Sequence, residues 1–264
     1  MMYIDAHSHI GRYMESEYLH LREGVLKMLH EKGIFSVAAS TSLEQYNQSL
    51  ELAKKSRNIL PTFGMFANYD DFNPEIHIPI MENSPILSEI GLTSMNMDPP
   101  PDLSKMEELF RVFLEHAEKT KKVVICHTSS EDEMALNILE NYSLSGVVIH
   151  GFRASNELLQ KIIDKGYLVS AGFLITDAFK DSDNWEHWRS IVKEVPMDLL
   201  LTETDGPSIR FGLNPESIIQ VVETVAQLKK VSHQEIKETV FTNFRKLIGR
   251  DIGLCKYSEL LSRS

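Results

Sequence analysis

The chain has 264 residues, of which 42% are hydrophobic and 25% are charged, a composition typical of globular domains rather than of disordered or fibrous chains. Its formal net charge of −11 at pH 7 argues against a broad basic surface of the kind that holds duplex DNA non-specifically. The charge does not exclude a nuclease, because divalent metals can supply positive charge locally.

The sequence contains few features that indicate a cellular compartment. The N-terminal residues show no basic region followed by a long apolar stretch, and no apolar run approaches the roughly 20 residues that a membrane-spanning helix needs. The two cysteines, Cys126 and Cys255, form neither a CxxC pair nor a disulfide-rich pattern, and we interpret them as free thiols. We therefore expect a cytoplasmic protein that has no membrane association and no obligate protein partner.

Short β-rich runs recur along the chain and predict eight strands. They are Tyr3 to His9, Ile34 to Ala39, Ile59 to Met65, Ile86 to Ile90, Val123 to His127, Gly146 to His150, Tyr167 to Ala171 and Leu199 to Thr204. Segments with helical periodicity separate them, such as Glu44 to Arg57 and Lys105 to Thr120. Runs such as VVIC and LLLT are apolar without alternation, which is typical of parallel strands covered on both faces.

Eight repeats of strand and helix predict an α/β fold, a (β/α)₈ TIM barrel, rather than an open doubly wound sheet. No Gly-Ser or Pro-rich linker divides the chain, so we expect residues 1–264 to form a single domain. After the eighth strand, Asn214 and Pro215 are predicted to be the N-cap and first residue of a helix that reaches about Lys230. A further helix from Gln234 to Leu247 is predicted to close the barrel.

Residue types that bind metals collect at the ends of five predicted strands. In barrels of this class the catalytic groups lie at the C-terminal ends of the strands. Burying several acids there without a cation would be costly, so the set predicts a metal site. The candidates are His7, His9, Glu89, His127, His150 and Asp205.

The first strand contributes three polar side chains, Asp5, His7 and His9, which alternate along it and so share one face. Two imidazoles placed two residues apart converge on one point, a geometry suited to zinc, manganese, nickel or iron. Asp5 lies two residues before His7 on the same face, one step deeper in the predicted barrel. We expect it to orient a histidine or to close the site from below, in a supporting role.

Five motifs give the chain a resemblance to a known family: IDAHSHI, LSEIGL, VVICHTS, VVIHGF and LLLTETDGP. They span nearly the whole chain in the family's order. The sequence resembles the TatD family of metal-dependent hydrolases, within the amidohydrolase-like superfamily. The resemblance implies a barrel with two divalent metal ions, either Zn, Mn, Mg or Ni. It implies that one metal is held by His7, His9 and Asp205, that the second is held by His127 and His150, and that Glu89 bridges both.

The substrate-facing loops depart from the family pattern. Many relatives have an aspartate after EIGL, where this chain has Thr93, and a basic residue soon after the histidine of strand five, where it has Thr128 to Ser130. HGFRA, from His150 to Ala154, replaces the usual HCFSG. This change places Arg153 beside the second metal, and since guanidinium can hold phosphate through two donors, Arg153 is the candidate substrate-binding residue.

The resemblance implies a deoxyribonuclease, and members of the family include 3′ to 5′ exonucleases. We predict hydrolysis of DNA or another phosphodiester by a water that two metals activate, with Glu89 and Asp205 as catalytic residues and Asp205 as proton acceptor. One alternative is a metal-dependent amidohydrolase or lactonase that acts on a small molecule, which the acidic charge and altered loops favour. Another is a metal-holding scaffold without catalysis.

Aromatic residues on the predicted mouth loops are candidates for base stacking or for packing, namely Tyr69, Phe72, Phe152, Phe173 and Trp185.

Overall fold

Parallel strands alternate with helices throughout the computed structural model, which describes residues 1–66, 69–94, 100–208 and 212–249. The strands in these ranges are β1 (Tyr3–Ser8), β2 (Ile34–Ala38), β3 (Ile59–Pro61), β4 (Ile86–Gly91), β5 (Val123–His127), β6 (Gly146–His150), β7 (Leu168–Ala171) and β8 (Leu200–Thr202). The helices are α1 (Arg22–Glu31), α2 (Leu43–Ala53), α3 (Pro74–Asn83), α4 (Leu103–Thr120), α5 (Asp132–Leu139), α6 (Asn156–Asp164), α7 (Trp185–Glu194), α8 (Ser217–Lys229) and α9 (His233–Ile248). Short 3₁₀ turns lie in several of the connecting loops.

The strands pair in parallel as two runs, β1-β2-β3 and β4-β5-β6-β7-β8. A bridge between Phe63 and Leu87 links the runs on one side. On the other side the Thr202 hydroxyl donates to the Ile4 carbonyl at 2.8 Å, which joins β8 to β1. The sheet is therefore closed, and the predicted (β/α)₈ barrel is confirmed.

Every strand of the barrel is almost fully buried, because helices cover its outer surface and side chains fill its interior. The helix that packs over β1 and β8 is α9, where Phe244 contacts Phe35 of β2 with 5.7 Å between ring centroids. Cys126 of β5 is a buried free thiol, whereas Cys255 lies outside the described residues. In the described ranges, none of the helices combines the length and the apolarity that crossing a membrane requires.

Several predicted boundaries were wrong. The helix predicted from Glu44 to Arg57 ends at Ala53, and the strand predicted from Leu199 to Thr204 is Leu200–Thr202. The third strand ends at Pro61 instead of Met65, and beyond it only Phe63 pairs with β4. The helix after β8 begins at Ser217, because the Asn214 side chain accepts a hydrogen bond from the Glu216 amide at 2.8 Å. This contact forms a turn of the kind that Asn favours, and the turn holds Pro215 ahead of the helix.

Candidate metal centre

Closure of the barrel brings the end of β1 to the loop after β8. The His9 amide donates to the Gly206 carbonyl at 2.7 Å, and the Asp205 amide donates to the His7 carbonyl at 3.0 Å. Asp205 Oδ1 then lies 3.3 Å from His9 Nε2 and 3.8 Å from His7 Nε2. Asp205 has a φ of 55°, a left-handed conformation that is uncommon outside glycine and recurs at functional sites.

Glu89 of β4 lies at the centre of the cluster and faces two pairs of histidines with its two oxygens. Oε2 is 3.4 Å from His9 Nε2 and 3.8 Å from His7 Nε2. Oε1 is 2.8 Å from His127 Nδ1 and 3.2 Å from His150 Nε2. One carboxylate therefore reaches all four imidazoles, one oxygen to each pair.

The second pair is set by strand register, since His127 and His150 are aligned partners on β5 and β6. Their ring nitrogens, Nδ1 of His127 and Nε2 of His150, are 2.7 Å apart. His7 stacks on His150 with ring centroids 3.8 Å apart and an angle of 4° between the planes. The structure thus brings together all six residues that the sequence nominated as ligands.

Several ring nitrogens in this cluster make no hydrogen bond within the part of the chain that the structure describes. Both ring nitrogens of His7 and Nδ1 of His9 are buried without a hydrogen bond among the described residues, although buried polar atoms are normally hydrogen-bonded. Ligand atoms within 4.8 Å of one another form three overlapping sets: His7, His9 and Glu89; His7, His150 and Asp205; Glu89, His127 and His150. Imidazole and carboxylate donors at such spacings fit divalent transition metals.

The electrostatics of the cluster suit metal binding. Burial, together with the charge of nearby His150, holds the pKa of His7 well below its usual range, so its ring stays neutral with a lone pair available for a metal. Burial acts to raise the pKa of Glu89, but hydrogen bonds from His127 and His150 outweigh it and hold that pKa well below the usual range. Glu89 is therefore ionised and able to bind a cation.

Glu203 is a member of the site that the sequence analysis missed. Its buried carboxylate places Oε1 3.5 Å from His150 Nδ1, on the side of the ring that faces away from Glu89. Oε2 accepts a hydrogen bond from the Ser170 hydroxyl. A Cβ added at Gly172 would lie 3.1 Å from Oε1, so the absence of a side chain there leaves room for the carboxylate. The available signal was the glutamate in LLLTETD, an acidic residue within the predicted eighth strand and two residues before Asp205.

Asp5 of β1 supports the site by binding the segment that follows β8. Its carboxylate accepts hydrogen bonds from the amide and the hydroxyl of Thr204, at 2.8 and 2.7 Å. Within the described ranges both of these side-chain contacts go to Thr204 and neither goes to a histidine ring. Burial raises the pKa of Asp5 to about 8. Asp5 thus fixes the chain one residue before Asp205.

Beside the cluster is a cavity of about 290 Å³, which is lined in part by His127, His150 and Asp205. Arg153 lies at its edge, where Nη2 donates to the Ser129 hydroxyl at 2.9 Å and the guanidinium lies over the Trp188 ring. Arg12, which the sequence analysis did not single out, lines the cavity as well.

The candidate stacking residues separate into two groups. Phe152 and Phe173 line the cavity. The other three make packing or loop contacts: Trp185 donates Nε1 to the carbonyls of Ile175 and Thr176, the Tyr69 hydroxyl accepts from the Asp102 amide, and Phe72 packs on His77 and Phe113.

Comparison with known proteins agrees with this geometry. The profile of the family described as TatD related DNase matches residues 4–249. An uncharacterized metal-dependent hydrolase of Methanocaldococcus jannaschii is 25% identical over 256 residues, which cover 94% of this chain and 97% of the relative. Another, from Escherichia coli, is 27% identical over 264 residues, with 95% and 97% covered.

Solved structures show the same fold. A TatD homologue from Escherichia coli, YJJV, superposes with a TM-score of 0.79 at 20% identity, covering 93% of this chain and 97% of that one. A TatD family hydrolase of Entamoeba histolytica gives a TM-score of 0.77 at 14% identity, with 94% and 98% covered. Because the family profile matches almost the whole chain, the protein belongs to the TatD family of metal-dependent hydrolases.

Proposed function

We propose that this protein is a metal-dependent phosphodiesterase, acting as a deoxyribonuclease on DNA ends or short single strands. The observation that carries the proposal is the position of Glu89, whose two oxygens face two separate pairs of histidines. A carboxylate placed in this way suits two divalent ions side by side.

In this proposal His7, His9 and Asp205 would hold one ion, His127 and His150 would hold the other, and Glu89 would be a ligand of both. When bound, two such ions would lower the pKa of a water molecule and neutralise charge on a phosphoryl oxygen. The histidine ligands are held in fixed positions, because the surrounding barrel leaves His7 fully buried and His150 nearly so.

Asp205 is the member of the cluster most open to the cavity, with 52% of its side chain exposed, against 5% for Glu89. We assign it the proton acceptor for the attacking water, because the acceptor must lie where water and substrate can reach it. Arg153 is assigned a phosphate contact from the cavity edge. A guanidinium there offsets the repulsion between an anionic substrate and the acidic chain.

The experiment that tests this proposal begins with the metal content of the purified protein. The protein is then freed of metal, reloaded separately with Mg²⁺, Mn²⁺, Zn²⁺ or Ni²⁺, and assayed on single-stranded and duplex DNA beside an active family member. We expect bound metal near two ions per chain and cleavage that requires it.

In the same assay His9→Ala should lose at least about a hundredfold in rate, and replacement of the exposed His30 by alanine should have no effect. A metal-loaded protein that cleaves no phosphodiester while the relative does would refute the proposal.

A second candidate function is hydrolysis of a small ester, lactone or amide. It is favoured by the small cavity beside the cluster, which has room for a compact molecule. A panel of lactones and amides, assayed with each metal, would support this candidate if rates exceeded those on phosphodiesters. Inactivity on the whole panel would rule against it.

A further inference from the structure

The cavity beside the metal centre has two kinds of lining. It includes the donors His127, His150 and Asp205. It also includes a group of apolar and aromatic side chains, among them Phe152, Phe173 and Trp188, which form a recess. A molecule bound at the donors would therefore extend an attached group into an apolar, aromatic recess.

The size of the recess limits that group. Ligand cavities commonly measure about 300–1,000 Å³, and this one measures about 290 Å³, so it has room for one compact ring system rather than a base pair. Phe173 and Phe179 meet edge to face with centroids 5.9 Å apart, which holds the Phe173 ring in place. Aromatic walls of this kind bind flat rings by stacking or edge contacts.

Charge at the rim points to an anion attached to the ring. Arg153 lies over the Trp188 ring at 5.8 Å and is tied to Ser129. Arg12 lies on the β1 side, where Nη1 donates to the Pro207 carbonyl at 3.4 Å. Two guanidinium groups thus line the same cavity as the donors and the aromatic side chains.

We infer that this recess binds a single flat aromatic group carried by the scissile phosphoester, either the unpaired base of a terminal nucleotide, joined through its sugar, or the ring of an aryl ester. This inference rests on the proposed phosphodiesterase function and adds the group that the substrate presents beside the reacting bond. A base in an intact pair is too large for the recess, so the terminal nucleotide must be unpaired to enter it.

Calorimetric titration of the Mn²⁺-loaded protein with phenyl phosphate and methyl phosphate tests the inference without relying on turnover. Both ligands carry the same phosphate, and only phenyl phosphate offers a ring. We expect phenyl phosphate to bind at least about tenfold more tightly, because its ring leaves water for the recess. Trp188→Ala should reduce that ratio severalfold and Trp188→Phe should largely keep it, while Phe72→Ala, an aromatic change outside the recess, should leave it unchanged.

Trp188 is partly exposed on α7, so its variants should fold, and circular dichroism would check this. Equal affinities of the two phosphates for the unaltered protein, or no detectable binding of either, would overturn the inference. A ratio that survives Trp188→Ala would overturn it as well. If phosphodiester cleavage persists in those cases, the proposed function stands and only the recess assignment fails. If no phosphodiester is cleaved, the proposed function fails, whatever the binding ratio.

Discussion

Glu203 links the donors of this site to the barrel wall behind them. Its carboxylate lies between the Ser170 hydroxyl and Nδ1 of His150, while Nε2 of the same ring faces Glu89 and His127. Burial acts to lower the pKa of His150, but the charges of Glu203 and Glu89 and a hydrogen bond with Glu89 raise it well above the usual range. A carboxylate in this position fixes which nitrogen carries the proton and which is left for a metal.

Glu203→Gln is therefore expected to weaken metal binding by about 10- to 100-fold, because the amide keeps the shape but removes the charge that orients His150. Isothermal titration with Zn²⁺ or Mn²⁺ measures this directly. The matched control is Glu223→Gln, an exposed glutamate on α8, which should bind metal as the unaltered protein does. Equal affinity in the two variants would show that Glu203 does not position the ligand.

At the scale of secondary-structure elements, the start of α4 depends on one side chain. Asp102 Oδ1 accepts hydrogen bonds from the amides of Ser104 and Lys105, at 3.1 and 3.3 Å. These amides lie in the first turn of the helix and have no partner within it. The helix that follows buries Phe110 and Phe113 against the barrel, so the cap stabilises packing as well as a helix end.

Asp102→Ala should lower the free energy of unfolding by about 1 kcal/mol, the usual cost of losing an N-cap side chain. Urea titration monitored by circular dichroism would measure the loss. Asp102→Asn keeps an oxygen acceptor and should remain within a few tenths of a kcal/mol of the unaltered protein. Comparable losses in both variants would mean that the cap oxygen does not stabilise the helix.

His116, near the end of α4, provides a test of pH dependence away from the metal centre. Burial and the positive charges of Lys122 and Lys119 lower the pKa of His116, with Glu82 acting against them. Its Nε2 is buried and makes no hydrogen bond with any residue that the structure describes. As pH falls below about 7, the ring protonates more readily in the unfolded chain than in the folded protein. The neutral ring therefore contributes stability at pH values above the pKa that His116 has in the unfolded chain. This stability is lost as the pH falls toward the lower pKa that His116 has in the folded protein.

Replacement of His116 by glutamine should remove this loss of stability at acidic pH. Between pH 7.5 and pH 5 the unaltered protein should lose stability relative to His116→Gln by less than about 1 kcal/mol, since the ring is only partly buried and water screens it. Urea midpoints at the two pH values would measure the difference. A constant difference across this range would contradict the lowered pKa.

Most elements could be predicted because their signals are local. The apolar runs of the strands and the caps at Ser42 and Ser232, whose hydroxyls accept from Gln45 and Glu235, follow from neighbouring residues. The wrong boundaries show that periodicity does not reveal every contact that ends an element. In one, the Asn214 side chain forms a turn ahead of α8.

The candidate site was predictable in part because the geometry of the whole barrel determines where the strand ends lie. Once eight parallel strands form a barrel, their C-terminal ends must meet, so residues as far apart as His9 and Asp205 come together. The cavity could not be predicted in the same way. Its walls combine Arg12 with Trp188 through loop conformations and a helix position that no local pattern encodes.

For the whole molecule, closing the barrel and assembling the donors are one event. The same β1–β8 junction that joins Thr202 to Ile4 also places His7 and His9 beside Asp205. The unfolded chain has no comparable site, since its donors are scattered from residue 7 to residue 205. A metal that binds only the folded barrel must therefore stabilise the entire fold and not just the mouth.

Adding Mn²⁺ or Zn²⁺ to metal-free protein at about 100 times the dissociation constant should stabilise the fold by about 2.7 kcal/mol for each ion. For a chain of this size that amounts to a rise in Tm of about 5–10 °C per ion, which differential scanning calorimetry would measure. His9→Ala should lose roughly half of the total rise, because one of two ion sites is disrupted, whereas His30→Ala should keep all of it. A Tm that does not respond to metal would contradict a metal centre formed by the folded barrel, and an equal rise in both variants would exclude His9 from it.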